Sequence, residues 1–110
     1  MFLGSPYRTM WIIVLFDLPT DEPEDKREYV RFRKALLEDG FVMLQYSVYG
    51  RCCPSEENAT VHLKRVERAV PPEGQVRVLQ LTGKQYGRMK IYEGKIRRKP
   101  EKEWSQLMLF

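Results

Sequence analysis

The sequence predicts an α+β domain, and three observations support this prediction. Residues 10–18 form a nearly unbroken apolar run, which is typical of a strand covered on both faces. Two later segments repeat apolar residues at helical spacing, and residues 75–82 alternate as a strand does. The predicted order is βα, then one strand or two, then αβ and a short β. A chain of 110 residues is long enough for one such domain with a single core.

The first strand and the first helix have clear boundaries. Pro19 ends the strand, and Thr20 and Asp21 are expected to cap a helix with Pro23 in its first turn. Gly40 is the expected C-terminal stop. Between residues 25 and 39, four apolar side chains recur at helical spacing: Tyr29, Phe32, Leu36 and Leu37.

The following segments complete the α+β order. Residues 41–51 have a strand-like composition but are long for one strand, so a bend or tight hairpin is expected near Gln45 and Tyr46. Pro54 and Ser55 open a second helix, whose apolar stripe consists of Ala59, Leu63, Val66 and Val70. After the strand over residues 75–82, a basic turn and a short strand over residues 89–93 are predicted.

The two ends of the chain differ from this central domain over residues 10–94. Residues 1–9 are interpreted as a loose leader, and residues 95–103 as a basic connector. Residues 104–110 form an apolar, alternating run, which is expected to pair with a sheet edge of a neighbouring protomer in a dimer. No apolar stretch approaches the roughly twenty residues that span a bilayer, and no signal-peptide core is present. A cytoplasmic protein without membrane contact is therefore expected.

The charge balance favours a polyanionic partner. Lys and Arg number 19 against 15 Asp and Glu, a formal net charge of +4. Guanidinium groups bind phosphate oxygens in pairs, and several such contacts give salt-dependent affinity that is independent of sequence. For any single cation a solvated surface position is the alternative. The candidate nucleic-acid contacts are Arg27, Arg31, Arg33, Lys34, Arg51, Arg97 and Arg98.

Asp17 is the main candidate for chemistry. It lies at the end of the first apolar run, and a basic helix and the hydroxyl-bearing segment around Ser47 follow it. A carboxylate at the tip of a buried strand in this setting suggests phosphodiester chemistry or phosphate binding. The alternative is that Asp17 only caps the following turn.

Other residues with chemical potential have simpler interpretations. The four acids that follow Asp17 fit a solvated first turn favoured by the helix dipole. His62 is the only histidine, so one chain cannot build a two-histidine ribonuclease site, and a surface or packing role is expected. Cys52 and Cys53 are adjacent and lack metal-ligand spacing, which predicts packed or idle thiols in a reducing compartment.

Four tyrosines, Tyr46, Tyr49, Tyr86 and Tyr92, have two possible roles. Such rings stack on the bases of a single strand. Aromatic residues on alternating strands also pack in cores or interfaces, and this is the interpretation favoured from the sequence.

Two segments resemble the CRISPR-associated protein two family, the small partner of the spacer-inserting integrase. The first is Phe16-Asp17-Leu18-Pro19 after an apolar strand, followed by the basic helix that contains Arg31 and Phe32. The second is Leu44-Gln45-Tyr46-Ser47-Val48-Tyr49-Gly50. The resemblance extends from residue 10 to about residue 82, and the apolar tail fits the family's exchanged C-terminal strand.

The resemblance implies a ferredoxin-like βαββαβ fold, a symmetric homodimer, binding to duplex DNA, and in some members metal-dependent cleavage of RNA or DNA. It favours a metal role for Asp17. Two Asp17 side chains near a dimer axis would hold one Mg²⁺ or Mn²⁺, with Ser47 or backbone carbonyls and waters completing the shell.

Three functions follow from these observations. The first is a bridge between integrase subunits that binds DNA, and the second is an endonuclease centred on Asp17, acting on DNA or single-stranded RNA. These two are compatible in one protein. The third is a ferredoxin-like interaction module without a nucleic-acid role, because this fold hosts many functions.

Overall fold

Four strands of the chain form one antiparallel sheet, and two longer helices cover one of its faces. The computed structural model describes residues 8–101. In chain order the elements are β1 Met10–Asp17, α1 Pro23–Glu38, β2 Val42–Gln45, β3 Val48–Cys53, α2 Glu56–Ala69, β4 Gln75–Thr82, α3 Gly83–Gly87, β5 Ile91–Glu93 and β6 Ile96–Arg98.

The sheet has the order β2-β3-β1-β4, and each neighbouring pair is antiparallel. This is the βαββαβ arrangement of a ferredoxin-like fold, so the predicted fold class is confirmed. The hairpin expected near Gln45 is also confirmed, since β2 ends at that residue and β3 begins at Val48. β1 is a central strand with a partner on each edge.

The two faces of the sheet are covered differently. On one face, Ile12, Val14 and Phe16 of β1 are buried against α1 and α2, which contribute Phe32 and Val66 to the main core. This face we call the helix face. Successive side chains of a strand alternate between faces, so the other face, called the open face, carries the remaining β1 positions.

The open face has a smaller core at one end only. Trp11 and Ile13 are buried there with Tyr86 of α3. The rings of Trp11 and Tyr86 are parallel within 4°, with their centroids 3.7 Å apart. Further along β1, Leu15 is 36% exposed and lies opposite the exposed Arg77 of β4, whereas Leu79, opposite Ile13, is 49% exposed. The open face is therefore a mainly apolar surface, with Gln75 and Arg77 at its Asp17 end, and α3 covers it only in part.

The ends of α1 agree with the sequence at one terminus and differ at the other. The N-cap is Glu22, not Thr20 or Asp21, and its backbone N–H donates to the Asp25 carboxylate at 3.3 Å. Gly40 follows the helix with φ +87°, and the Phe41 N–H donates to the Leu36 carbonyl at 3.0 Å. Gly40 is thus the predicted C-terminal stop, because this left-handed conformation strains other residues.

α2 begins as predicted, with the Ser55 hydroxyl accepting a hydrogen bond from the Asn58 N–H at 3.0 Å. Its buried face differs from the predicted stripe. Val70 lies beyond the helix and is 42% exposed, whereas His62 is 5% exposed and faces the core. A polar side chain at this position requires hydrogen-bonding partners.

The C-terminal part of the described chain differs from the sequence prediction. The predicted basic turn after residue 82 is the short helix α3, and the strand predicted over residues 89–93 is shortened to β5. β5 pairs with β6 in a separate hairpin, and β6 lies within the predicted connector. Arg97 and Arg98 belong to a strand in spite of their charge, because β5 ends three residues before β6 begins and pairs with it.

The predicted chain ends are described only in part. Thr9, assigned to the leader, is fully buried, and its carbonyl accepts a hydrogen bond from the Gly83 N–H at 2.9 Å. Ordered backbone therefore begins before Met10. The apolar run over residues 104–110 lies outside the described residues.

A chain of polar side chains joins β3 to both helices. Arg51 contacts His62 Nε2 at 2.9 Å, His62 Nδ1 contacts Asp39 at 2.8 Å, and the other Asp39 oxygen accepts from Arg65 at 2.7 Å. A guanidinium nitrogen only donates, so His62 Nε2 accepts and Nδ1 carries the proton. His62 is a structural residue, in agreement with the packing role expected from the sequence.

The two cysteines form no disulfide, and both are buried in the sheet. Burial disfavours the thiolate and raises the pKa of Cys53 to about 11, and nearby Arg51 opposes this effect only in part. The prediction of packed thiols is confirmed for this pair.

We expect Asp39→Ala to lower the free energy of unfolding by about 1–3 kcal/mol, because the buried His62 N–H loses its acceptor. Urea denaturation measures the change. The matched control is Arg65→Ala, which removes the more exposed partner of the same carboxylate and is expected to cost less than about 1 kcal/mol. Equal losses in the two variants would contradict the structural role of the His62 contact.

The raised pKa of Cys53 predicts loss of stability at alkaline pH. The unfolded thiol ionises near pH 9, whereas the folded thiol ionises near pH 11. Its contribution is therefore complete below about pH 9 and declines as pH rises towards 11. Urea unfolding at pH 8 and pH 10 should show a smaller decline for Cys53→Ala than for the unsubstituted protein. The same decline in both proteins would refute this effect.

Candidate functional site

The buried β1 strand holds Asp17 at its C-terminal end. Phe16 is buried on the helix face, whereas Asp17 is exposed and opposite Gln75 of β4. Asp17 is an even number of residues from Ile13 and Leu15, so its side chain belongs to the open face. The strand thus presents one carboxylate at the edge of an apolar surface.

Two turns approach this strand end. Gly74 has φ +94°, and a Cβ added there would lie 2.7 Å from the Asp17 carbonyl oxygen. Ser47, in the β2–β3 turn, has φ +61°, and its carbonyl accepts a hydrogen bond from the Phe16 N–H at 3.1 Å. The structure therefore brings the Ser47 backbone beside the strand end that carries Asp17.

Two tyrosines near this end, Tyr29 and Tyr46, are joined by a hydrogen bond that the sequence pattern does not predict. The Tyr29 ring contacts Phe16 edge to face, with centroids 6.0 Å apart. A hydrogen bond with Tyr29 raises the pKa of the Tyr46 hydroxyl, and Tyr46 is 79% exposed. Tyr46 belongs to the second segment that resembles the family, but no local sequence pattern connects Tyr46 to Tyr29, because seventeen residues and a helix boundary separate them.

The acids after Asp17 line a groove between the start of α1 and the α2–β4 turn. The groove has a volume of about 510 Å³. Asp25 accepts the Glu22 N–H, and a hydrogen bond from Arg31 lowers the pKa of Glu28. Within residues 8–101, no group of three or more histidine, cysteine or acidic side chains is placed to hold a metal ion. Glu22 and Asp25 thus cap the helix, and Glu28 forms a local ion pair with Arg31.

Asp17 alone provides few ligands for a hard cation. Mg²⁺ commonly binds proteins through one or two carboxylates and keeps several waters or substrate phosphates. One Asp17 supplies the minimum of that set. A more complete site would require further ligands, such as a second carboxylate.

Most of the candidate nucleic-acid contacts have intramolecular partners. Arg31 donates to Glu28 at 2.8 Å and to the Ala69 carbonyl at 2.9 Å, which joins α1 to the end of α2. Arg33 donates to the Tyr49 hydroxyl at 2.8 Å. These contacts favour structural roles for both arginines.

The remaining candidates include both paired and unpaired cations. Arg51 belongs to the His62 chain, and Arg98 contacts Glu93 at 2.5 Å. Lys34 is 3.9 Å from Glu38 in a solvent-exposed pair. Arg27 and Arg97 are exposed, and within residues 8–101 neither makes an ion pair or hydrogen bond. The cations that sequence reasoning grouped together are therefore dispersed over several surfaces.

No helix between residues 8 and 101 has the length and apolar character needed to cross a membrane.

Comparison with known proteins identifies relatives over nearly the whole chain. A family model described as CRISPR associated protein Cas2 matches residues 10–89. A protein of Parvibaculum lavamentivorans named CRISPR-associated endoribonuclease Cas2 is 56% identical over 101 residues, which are 92% of this chain and 100% of that protein. A protein of the same name from Flavobacterium psychrophilum is 46% identical over 106 residues, covering 96% and 92% of the two chains.

A solved structure described as a crystal structure of Cas2 matches with a TM-score of 0.56 at 19% identity, covering 86% of this chain and 95% of the other. At that identity the likeness supports the fold alone. Together, the residue 10–89 match and the 56% identical relative show that this chain belongs to the CRISPR-associated Cas2 family.

Proposed function

We propose that this chain acts in CRISPR spacer acquisition as a homodimer that binds nucleic acid, bridges integrase subunits and cleaves phosphodiesters at paired Asp17 carboxylates. The observation that carries the proposal is the exposed Asp17 at the end of a buried strand, on the apolar open face. The relatives' name, endoribonuclease, favours RNA as the substrate of cleavage. This role places the protein in the cytoplasm.

The open face supports the proposed dimer. Val42 is 45% exposed, and Leu15 and Leu79 are exposed to a similar extent. Covering exposed apolar surface stabilises an association by about 25 cal/mol per Å². A second copy offers the same surface, as a twofold interface requires. Such an interface would bring both Asp17 side chains to its edge, because they lie on the same face.

Two further contacts belong to the proposal as expectations from the sequence. Residues 104–110 would pair with the partner protomer, and the integrase would dock on the dimer. Duplex DNA would be bound through its phosphates by exposed cations, of which Arg27 and Arg97 are candidates.

In the proposed cleavage, the two Asp17 carboxylates would hold Mg²⁺ or Mn²⁺. A bound ion of this kind supplies an activated water and stabilises charge on the phosphate. Asp17 itself binds and orients through its carboxylate oxygens, and the Ser47 turn supports the strand end. The sheet fixes the Asp17 backbone through β4, where Asp17 is opposite Gln75, while β1 is paired with β3 only as far as Leu15.

We expect Asp17→Asn to reduce Mg²⁺-dependent cleavage of single-stranded RNA by at least about 100-fold, since a neutral amide holds a cation weakly. The measurement is cleavage of a labelled RNA by purified protein with Mg²⁺ and with EDTA. The control is Asp21→Asn, which neutralises a neighbouring exposed acid and should retain activity. Persistent cleavage in the Asp17 variant would assign the activity to a contaminating nuclease.

The proposed interface predicts that charge on the open face separates the protomers. Leu79→Asp should weaken dimerisation by at least about 100-fold, because the interface would bury an unpaired carboxylate. Sedimentation velocity at micromolar concentration measures the oligomeric state. Val61→Asp, at a 46% exposed position on α2, is the matched control and should remain dimeric. A monomeric unsubstituted protein, or a dimeric Leu79 variant, would refute this interface.

A further inference from the structure

We propose that one face of the β5–β6 hairpin binds single-stranded nucleic acid, with the Tyr92 ring stacked on a base and with Lys90, Arg97 and Lys99 against phosphates. This inference rests on the proposed function, and it assigns a surface and a substrate form to the nucleic-acid contact.

The hairpin register sorts its side chains into two sets. Ile91 pairs with Arg98, Tyr92 with Arg97, and Glu93 with Ile96. Directly paired residues share a face, and neighbouring pairs lie on opposite faces. Tyr92 and Arg97 are therefore on one face. Lys90 and Lys99 immediately flank the two strands, and we infer that the same alternation extends to them. We call these four residues the basic face.

The three charged residues of the basic face are all cationic. Lys90, Arg97 and Lys99 are exposed, Tyr92 is 59% exposed, and the face contains no carboxylate. No hydrogen bond or ion pair joins these three cations to another residue between 8 and 101. Their charges remain available to a ligand.

The opposite face of the hairpin carries the acids. Arg98 lies 2.5 Å from Glu93 and 3.0 Å from Glu101, so its charge is matched within the protein. This separation distinguishes Arg97 from Arg98, which are adjacent in sequence. Sequence reasoning gave both the same role, whereas the strand alternation assigns them to different surroundings.

The hairpin is connected to the main sheet through its acidic side. The Tyr86 hydroxyl donates to Glu101, and the Tyr86 ring stacks on the buried Trp11 ring of β1. Burial, together with the Glu101 carboxylate, raises the pKa of Tyr86, so the hydroxyl keeps the proton it donates. This attachment leaves the basic face directed away from the acids that hold the hairpin in place.

The exposed tyrosine favours a single strand over a duplex. Phosphates of a duplex would engage the three cations but would leave the ring without a partner, since duplex bases are already stacked. Unpaired bases offer a ring face to an aromatic side chain, and such stacking is independent of sequence. Cations at both sides of Tyr92 match a backbone that continues past the stacked base.

The test measures binding of a labelled 12-nucleotide single-stranded RNA and of a duplex of the same sequence, by fluorescence anisotropy in EDTA. Tyr92→Leu should weaken single-strand binding about tenfold and leave duplex binding unchanged, while Tyr92→Phe should retain binding to both. Arg97→Ala with Lys99→Ala should reduce the salt slope for the single strand by about 1.4, as expected for two lost phosphate contacts.

The matched control is Lys64→Ala with Arg68→Ala on α2, which removes the same charge from exposed positions. It should leave the salt slope nearly unchanged. Equal changes of the salt slope in the two double variants would overturn the assignment of the basic face. So would a Tyr92→Leu variant whose single-strand binding is unchanged, or whose single-strand and duplex binding are weakened equally. A failure of the unsubstituted protein to bind either probe would instead refute the proposed function itself.

Discussion

The double-sided pairing of β1 is the constraint on which the rest of the structure depends. This strand is hydrogen-bonded to β3 on one edge and to β4 on the other, and its Ile12, Val14 and Phe16 side chains fill the helix face. A strand held in this way cannot shift by one residue without moving every core side chain to the wrong face. The position of Asp17 at its end is fixed for the same reason. A carboxylate at the end of such a strand needs little local support, because pairing and the packed helix face hold the strand behind it.

Some basic side chains of this protein bind acceptors within the fold, whereas others are exposed to solvent. The excess of basic residues suggests broad phosphate binding, yet several arginines hold elements together. Arg31 joins α1 to the end of α2, and Arg51 contacts a buried histidine. Each of these guanidinium groups satisfies acceptors within the protein, so it is less available to a ligand. The total of 19 Lys and Arg residues therefore overstates the number of cations that a nucleic acid would meet.

Much of the fold followed from local patterns. The apolar run that became β1, the Ser55 cap of α2, Gly40 after α1 and the alternation of β4 are each determined within about ten residues. The hairpin of β5 and β6 was not recognised, because a run of lysines and arginines resembles a solvated connector. For the buried His62, the sequence predicts a surface or packing role but not its hydrogen-bonding partners. Its partners Asp39 and Arg51 come from other elements, so no spacing in the sequence connects the three.

The sequence by itself determined the order of the elements, the family and the place of Asp17 at a strand end, because these depend on periodicity, turn residues and short motifs. Only the tertiary structure decided which face Asp17 shares with Leu15, which arginines are already paired, and that Arg97 and Arg98 face different surroundings. Those features depend on strand register and on contacts between residues far apart in the chain. A local pattern records what a segment tends to form, whereas the partners of its side chains are set by the packing of the other segments around it.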